Sequence, residues 1–290
     1  MRTIDPTTTS VQDFYHYLTG TVAPRPIAFV SSLDKDGVPN LAPFSYFNVF
    51  SASPPLLAFA PGNSKHTLAN IKETKECVVN MVNFDIVQQM NVASGEYPKG
   101  VNEFIKAGLT PIESMVVKPF RIKESPVQME CVVEQIIPLK TQKAADTTTM
   151  IVCRVVKMHL AENILDAKGR IDAAKIDLMG RLGGLDYARC NGNLVSLPNL
   201  RQMQPIGFDA LPAGLLESTV FTGNNLGQFA ALGALPTKEE VLDMKGRDRH
   251  LQKIMVTGNV RHSLHLYAQE YLSKGDVQSA IRIALLGEYL

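Results

Sequence analysis

The sequence predicts a mainly β protein, built as a barrel or sandwich of short antiparallel strands and followed by a helical extension. From about residue 21 to 165, short β-rich runs alternate with turn signals, without the regular strand–helix repeat of a parallel sheet. After about residue 205 the apolar residues recur at helical spacing. A connector rich in Pro, Gly and Asn spans residues 190–215. We therefore expect one domain at residues 1–200 and a helical extension at residues 201–290.

The predicted strands follow one another between tight turns. RPIAFVSSL and VPNLAPFS flank the turn sequence DKDG, and this arrangement predicts a hairpin. Four later apolar runs, rich in β-branched residues, continue the sheet: PLLAFAP, CVVNMV, VQMECVVEQIIPL and TTMIVCRVVKMHL. Helices are predicted only as insertions, at residues 65–74, 84–94 and 101–108.

The extension carries two helix-start signals. Thr237 and Glu240 form a capping-box pattern, and Asp276 can cap the segment VQSAIRIALLGEYL. His262 and His265 lie three residues apart on a further predicted helix, but no third metal ligand is evident nearby. We expect these two histidines on a solvated helix face.

The bulk composition excludes several classes of partner. The 29 basic and 28 acidic residues nearly cancel, so no overall field would attract nucleic acid or an anionic membrane. The four cysteines lack metal-binding spacing, and three of them lie in strand-like runs, as buried thiols do. No stretch approaches the roughly 18 apolar residues of a membrane span. These features predict a reduced, soluble, cytoplasmic protein without a metal site.

The segment PGNSKHTLANIKET predicts an anion site. Asn63 or Ser64 can cap the helix, and Lys65, His66 and Thr67 then occupy its first turn. That turn offers free backbone N–H groups and the positive end of the helix dipole, which together suit a phosphate. A capped surface helix with incidental polar residues remains the alternative.

The segment NLAPFSYFNVF is apolar enough for a strand, yet Pro43 interrupts it. A bend at this proline would free the following N–H groups from the ladder, and a planar ligand with ring acceptors would satisfy them. Asn40, Ser45 and Asn48 add polar groups to the same segment. An ordinary bulge with serines facing water explains the pattern equally well.

The segment LMGRLGGLDY is a weaker signal. Its double glycine permits an unusual turn or a close backbone approach, but it has no phosphate-loop spacing. Glu130 and Glu134 would face the same side of an alternating strand. This placement fits a solvent-facing side of the strand as well as an acid pair.

In their order and spacing, these blocks resemble the flavin-reductase-like family of FMN-binding split barrels. The resemblance covers roughly residues 10–195 and includes the block LMGRLGGLDYARC, which is similar to that family's C-terminal signature. It implies a six-stranded antiparallel Greek-key barrel with helical insertions, a homodimer, and FMN held noncovalently near the subunit interface. It also implies that the helical extension is that of the longer members.

The resemblance also implies contacts with the cofactor. Lys65 and Thr67 match the phosphate-binding turn, where His66 replaces the Asp common in family members. The NLAPFS segment matches the isoalloxazine wall, and the end of the first strand matches the ribityl contact. The implied cofactor-binding residues are Ser31, Ser32, Asn40, Ala42, Pro43, Phe44, Ser45, Asn48, Ser64, Lys65, His66, Thr67, Arg181 and Tyr187.

In such a site the cofactor carries the chemistry, so we assign no catalytic side chain. The resemblance implies that a hydride passes from NAD(P)H to flavin N5 and that electrons leave to free flavin, oxygen, a metal complex or a protein partner. Two alternatives stay open. One is an FMN-binding electron carrier or oxygenase without NAD(P)H activity, and the other is a non-enzymatic binding module on the same barrel.

Overall fold

A computed structural model divides the chain into two compact units, Met1–Leu194 and Val195–Leu290. It describes residues 1–62, 66–139, 148–192, 194–256 and 258–289. The helices of the first unit are α1 (Val11–Thr21), α2 (His66–Thr74), α3 (Val87–Ala93), α4 (Glu103–Ala107) and α5 (Ala173–Ile176). Its strands are β1 (Arg25–Pro26), β2 (Ala28–Leu33), β3 (Pro39–Phe44), β4 (Phe47–Ala52), β5 (Pro55–Phe59), β6 (Glu76–Met81), β7 (Pro111–Ile112), β8 (Arg121–Ile122), β9 (Val127–Leu139), β10 (Thr148–Leu160), β11 (Met179–Arg181) and β12 (Tyr187–Arg189).

The main sheet is an antiparallel sheet that curls on itself. Its seven strands within the described chain run in the order β3-β2-β6-β9-β10-β5-β4. β3 and β4 form opposite edges although only Ser45 and Tyr46 separate them in sequence. The two edges therefore meet at this corner, as in a barrel that is open elsewhere. The predicted antiparallel barrel is confirmed, with seven strands instead of six, because NLAPFSYFNVF contributes to two strands.

Pro43 does not bend its strand as predicted. β3 pairs with β2 in continuous register along its whole length, through Pro43 itself. The N–H of Leu41 points away from β2, and Pro39 and Pro43 lie two residues to either side of it. In an antiparallel ladder these positions share one orientation, so neither proline removes a bond to β2.

Both faces of β2 are buried. Ala28 and Val30 contribute to an apolar cluster that Leu68 of α2 joins. Phe29 contributes to a second cluster with Met90 of α3 and Phe104 of α4. The three helical insertions that the sequence predicted therefore cover the hairpin from two sides.

The double glycine of LMGRLGGLDY lies at a close backbone approach. A Cβ added to Gly183 would lie 3.0 Å from the Cα of Gly20, at the end of α1. The buried Arg25 donates to the Val22 carbonyl at 2.9 Å and to the Leu182 carbonyl at 3.0 Å, which joins the same two segments. The helix α1 was not predicted, because its polar and apolar residues give only a weak helical pattern.

The predicted burial of three cysteines is confirmed. Cys77, Cys131 and Cys153 lie within the core of the first unit, and the neighbouring thiols together with burial raise the pKa of Cys77 and of Cys153. Within the described parts of the chain, no helix is long and apolar enough to cross a membrane. The same residues contain no cluster of three or more His, Cys, Asp or Glu side chains suited to a metal ion.

The second unit is helical, as predicted. Its helices are α6 (Ala213–Leu216), α7 (Gly223–Ala230), α8 (Lys238–Arg247), α9 (Arg249–Ile254), α10 (Val260–Ser273) and α11 (Val277–Leu285). Thr237 and Glu240 form the expected capping box of α8, and the Asp276 carboxylate accepts the Ser279 N–H at 3.0 Å at the start of α11. Both helix-start predictions are confirmed.

The expected solvated face of α10 includes His262 but not His265. The His265 side chain is 2% exposed, hydrogen-bonds Ser218 Oγ through Nδ1 at 2.8 Å and packs on the Phe221 ring at 4.7 Å. Burial, helped by the positive charge of Arg261, lowers the pKa of His265 to about 4. His265 is therefore a neutral core residue of the helical unit.

The Glu130 carboxylate holds the loop before β8 onto β9. It is fully buried, and it is bonded by His159 Nε2 at 2.7 Å and by the N–H groups of Met115 at 2.9 Å, Val116 at 2.6 Å and Val117 at 3.0 Å. Burial alone would raise the pKa of Glu130, but these bonds lower it from 4.5 to about 2.

Glu134 does not form an acid pair with Glu130. It is exposed and pairs with Arg154 at 2.6 Å. Glu134 is the bulged residue of β9, since Val152 pairs with Gln135 and Cys153 with Val133, and the bulge interrupts the alternation between Glu130 and Glu134. The two residues therefore provide a buried and an exposed carboxylate for comparison.

We expect Glu130→Gln to lower the free energy of unfolding by about 2–3 kcal/mol, because an amide cannot accept all of these bonds. The exposed control Glu134→Gln should change it by less than about 0.5 kcal/mol. Since the folded pKa is depressed, the advantage of wild type over Glu130→Gln should be full above pH 4.5 and should shrink as the pH falls toward about 2. Urea unfolding at several pH values measures this, and a pH-independent difference would contradict it.

Candidate functional site

Two side-chain hydrogen bonds attach the β2–β3 hairpin to α2. The Asn40 amide donates to Thr67 Oγ1 at 2.9 Å, and the Asn70 amide donates to Ser32 Oγ at 3.1 Å. Ser32 and Asn40 are direct cross-strand partners, so their side chains lie on the same face of the hairpin. All four residues are buried, and the start of α2 is thereby fixed beside β3.

The open edge of β3 is held by a carboxylate. Glu103 Oε2 of α4 accepts the Leu41 N–H at 3.0 Å, across 62 residues of sequence. Because no strand among the described residues lies beside β3 on this side, this carboxylate takes the place of a ladder acceptor. α4 itself is positioned by Asn102, whose side chain caps it through the Phe104 N–H at 3.0 Å.

A pocket of about 260 Å³ lies between these elements. Its walls come from β3, from the first turn of α2, from the end of α3 with the loop after it, and from α4. The lining residues are Asn40, Leu41, Ala42, Pro43, Phe44, His66, Thr67, Ala93, Ser94, Gly95, Glu96, Tyr97 and Glu103. The lining includes both apolar and polar side chains.

The pocket lining includes both backbone N–H donors and a carboxyl group. The first N–H groups of an α-helix have no intrahelical acceptor, and α2 begins at His66 in the pocket wall. In the same lining, burial raises the pKa of Glu103, although the Leu41 N–H, its own N–H and His66 oppose this shift. The pocket wall therefore includes both the start of a helix and a buried acid.

The structure brings six of the predicted site residues together in this pocket. All six are on β3 or in the first turn of α2, and they line one cavity: Asn40, Ala42, Pro43, Phe44, His66 and Thr67. Ser64 and Lys65 lie outside the described residues, although they directly precede His66 in sequence. The start of α2 and the β3 segment, whose site residues the sequence predicted separately, are thus adjacent.

The remaining predicted residues do not line the described part of this pocket. Ser31 is buried and its hydroxyl donates to the Phe120 carbonyl, while Ser32 is bonded to Asn70. Ser45 lies at the corner between β3 and β4, and the exposed Asn48 accepts the N–H of its own neighbour Val49 at 2.8 Å.

Arg181 and Tyr187 pair with each other instead. They are cross-strand partners on β11 and β12, their side chains are hydrogen-bonded, and the guanidinium lies 4.6 Å from the Tyr187 ring centroid. Their contribution to a cofactor site stays a prediction.

Sequence reasoning missed the pocket residues of two segments. Residues 93–97 form one wall, and the predicted helix boundary at residue 94 gave no sign of it. Glu103 was hidden because a Glu in the first turn of a helix is ordinarily explained by the helix dipole.

An open antiparallel barrel, with a pocket of apolar and polar residues at the edge of its first hairpin, is the architecture of the flavin-binding split barrels. The chain belongs to the flavin-reductase-like family, since the sequence model of that family, described as "Flavin reductase like domain", matches residues 20–175. It is accordingly a flavin-binding oxidoreductase.

Several known proteins are similar to this chain in sequence, and two of them also in structure. The crystal structure of nitrilotriacetate monooxygenase component B from Bacillus cereus is 38% identical, with a TM-score of 0.65, and the match covers 68% of this chain and 98% of that one. The 2-nitrobenzoate 2-nitroreductase NbaA from Pseudomonas fluorescens is 30% identical with a TM-score of 0.62, covering 73% of this chain and 99% of that one. An uncharacterised protein from Aquifex aeolicus is 38% identical over 183 residues, which are 61% of this chain and 90% of that protein. The predicted split-barrel family is confirmed.

We expect Thr67→Val to lower the free energy of unfolding by about 1–2 kcal/mol, because it leaves the buried Asn40 amide without its acceptor. Thr74→Val is the matched control in the same helix, since the Thr74 hydroxyl bonds only the Asn70 carbonyl. Urea unfolding measures both variants, and equal losses would contradict the account of the Asn40–Thr67 contact.

Proposed function

We propose that this protein is an FMN-dependent oxidoreductase of the flavin-reductase type. In this proposal NAD(P)H is the electron donor, and free flavin, oxygen, a metal complex or a protein partner is the acceptor. Bound FMN would supply the two-electron chemistry, and the protein would supply orientation and electrostatics. The similarity to a monooxygenase component and to a nitroreductase supports an oxidoreductase that delivers electrons.

The observation that carries the proposal is the meeting of Asn40, Thr67 and the apolar end of β3 in one pocket. Ala42, Pro43 and Phe44 offer an apolar wall to a planar ring. The first turn of α2 offers backbone donors to a phosphate, and Lys65 precedes that turn in sequence. These residues fit a ligand that is apolar and planar at one end and anionic at the other.

The residues of this pocket would bind and orient the cofactor. Thr67 is held by Asn40, so its hydroxyl has a fixed position at the helix start. The β3 backbone is held between β2 and Glu103, so the apolar wall is rigid before the ligand arrives. A preformed pocket of this kind reduces the ordering cost of binding.

The proposal includes a homodimer with FMN near the subunit interface. One feature supports it. The outer strand β4 exposes Val49 by 68% and Phe50 by 67%, an apolar edge that a second subunit would cover.

The visible spectrum of the purified protein tests the proposed function. We expect flavin absorbance after reconstitution with FMN, and rapid anaerobic bleaching when NADH or NADPH is added. A flavin that binds but is not bleached by either nucleotide would contradict the reductase and favour an electron carrier. Failure to bind FMN would favour a non-enzymatic binding module.

A double variant tests the phosphate contact. We expect Lys65→Ala with Thr67→Ala to weaken FMN binding by at least tenfold, because an ammonium and a fixed hydroxyl are both lost from the anion site. The exposed Lys72 of α2 provides the control Lys72→Ala, with the same change of net charge. Fluorescence titration with FMN and with riboflavin measures the effect, and equal affinity of both variants for FMN would overturn the assignment.

A further inference from the structure

Glu103 is a buried acid in the wall of the pocket. Glu103 is only 5% exposed, and it lines the same cavity as Asn40 and Thr67. It forms no ion pair with any residue that the structure describes. Burying an ionised carboxylate without a cation costs free energy of desolvation, so the acid at this position needs an explanation.

The structural task of Glu103 does not require a charge. The Leu41 N–H needs one acceptor oxygen, and Glu103 Oε2 supplies it at 3.0 Å. The amide oxygen of a glutamine could accept the same bond without the desolvation cost of an ion. The tether to β3 therefore explains the position of the side chain, but not its acidity.

The other ionisable groups in the described pocket wall are few. They are His66 on α2 and Glu96 and Tyr97 in the loop after α3. Burial favours the neutral form of Glu103, whereas the Leu41 N–H and the nearby His66 favour its ionised form. Glu96 makes contacts of its own within the protein. Glu103 is thus the acid that combines deep burial with a place in the pocket wall.

We propose that the carboxylate of Glu103 disfavours the reduced state of the bound flavin relative to the oxidised state. The inference rests on the proposed function, because it takes the flavin to occupy this pocket. Two-electron reduction adds negative charge to a flavin at neutral pH, and a fixed carboxylate in a low-dielectric wall repels that charge. The repulsion lowers the reduction potential and favours passing the electrons on.

Two substitutions separate the charge of Glu103 from its tether. Glu103→Gln keeps the side-chain length and an acceptor for Leu41 but removes the charge. Glu103→Asp keeps the charge but shortens the side chain by one methylene, so the Leu41 N–H loses its partner. Glu124→Gln is the matched control, because the Glu124 carboxylate also accepts a backbone N–H, that of Thr110, at 3.1 Å, outside the pocket lining.

The experiment measures the reduction potential of bound FMN in wild type and in the three variants, with the FMN affinity and the urea midpoint of each. The buffer is kept near pH 8, where the Glu103 carboxyl is more fully ionised. In Glu103→Gln we expect the affinity ratio of reduced to oxidised FMN to rise about tenfold, a shift of about 30 mV upward for a two-electron couple. We expect Glu103→Asp to keep the wild-type ratio within threefold while its urea midpoint falls. Glu124→Gln should keep the wild-type ratio.

Three results would overturn parts of this account and can be told apart. An unchanged potential in Glu103→Gln, with FMN bound, rejects the role of the charge and leaves the proposed function intact. A tenfold rise of the ratio in Glu103→Asp also rejects it, because that variant retains the carboxylate, and this test stands even where Glu103→Gln fails to fold. Absence of FMN binding by wild type rejects the proposed function itself, and the inference with it.

Discussion

The connection from β3 to β4 is the constraint on which the first unit depends. Phe44 ends one edge strand of the main sheet and Phe47 begins the opposite edge strand, so the sheet has to curl until its edges meet. The curl brings Phe44 onto Phe59, with ring centroids 5.5 Å apart. Beyond this corner the edges are not paired, and the outward side of β3 is left without a neighbouring strand. The pocket forms along that unpaired side.

Two prolines and one carboxylate account for the N–H groups on the unpaired side of β3. Pro39 and Pro43 have no N–H to leave unsatisfied, and the N–H between them, that of Leu41, is bonded to Glu103. The N–H groups on this side of β3 are therefore satisfied or absent without a further strand. This explains how a single strand can form a pocket wall and still resist pairing with another chain. The bonds of Asn40 to Thr67 and of Ser32 to Asn70 then place the start of α2 against the same wall.

The positions of most strands of the main sheet along the chain, the hairpin at DKDG, the helical insertions and the caps of α8 and α11 could be predicted, because turn residues and local spacing carry that information. The reason for Pro43 could not. A proline in a strand indicates a bend or an edge, and only the topology shows that β3 is an edge. Glu103 and His265 were missed for a related reason, since each looks like a solvated helix residue until tertiary packing buries it. Local patterns predict elements well, but they do not report which polar side chain will be buried.

The most direct test of the central claim is a crystal structure of the protein grown with FMN. We expect the isoalloxazine to lie against Ala42, Pro43 and Phe44, with the phosphate at the first turn of α2 within hydrogen-bond distance of Thr67. Glu103 should keep its bond to Leu41 and face the cofactor across the pocket. An FMN bound elsewhere on the protein, or a phosphate remote from the start of α2, would contradict the account.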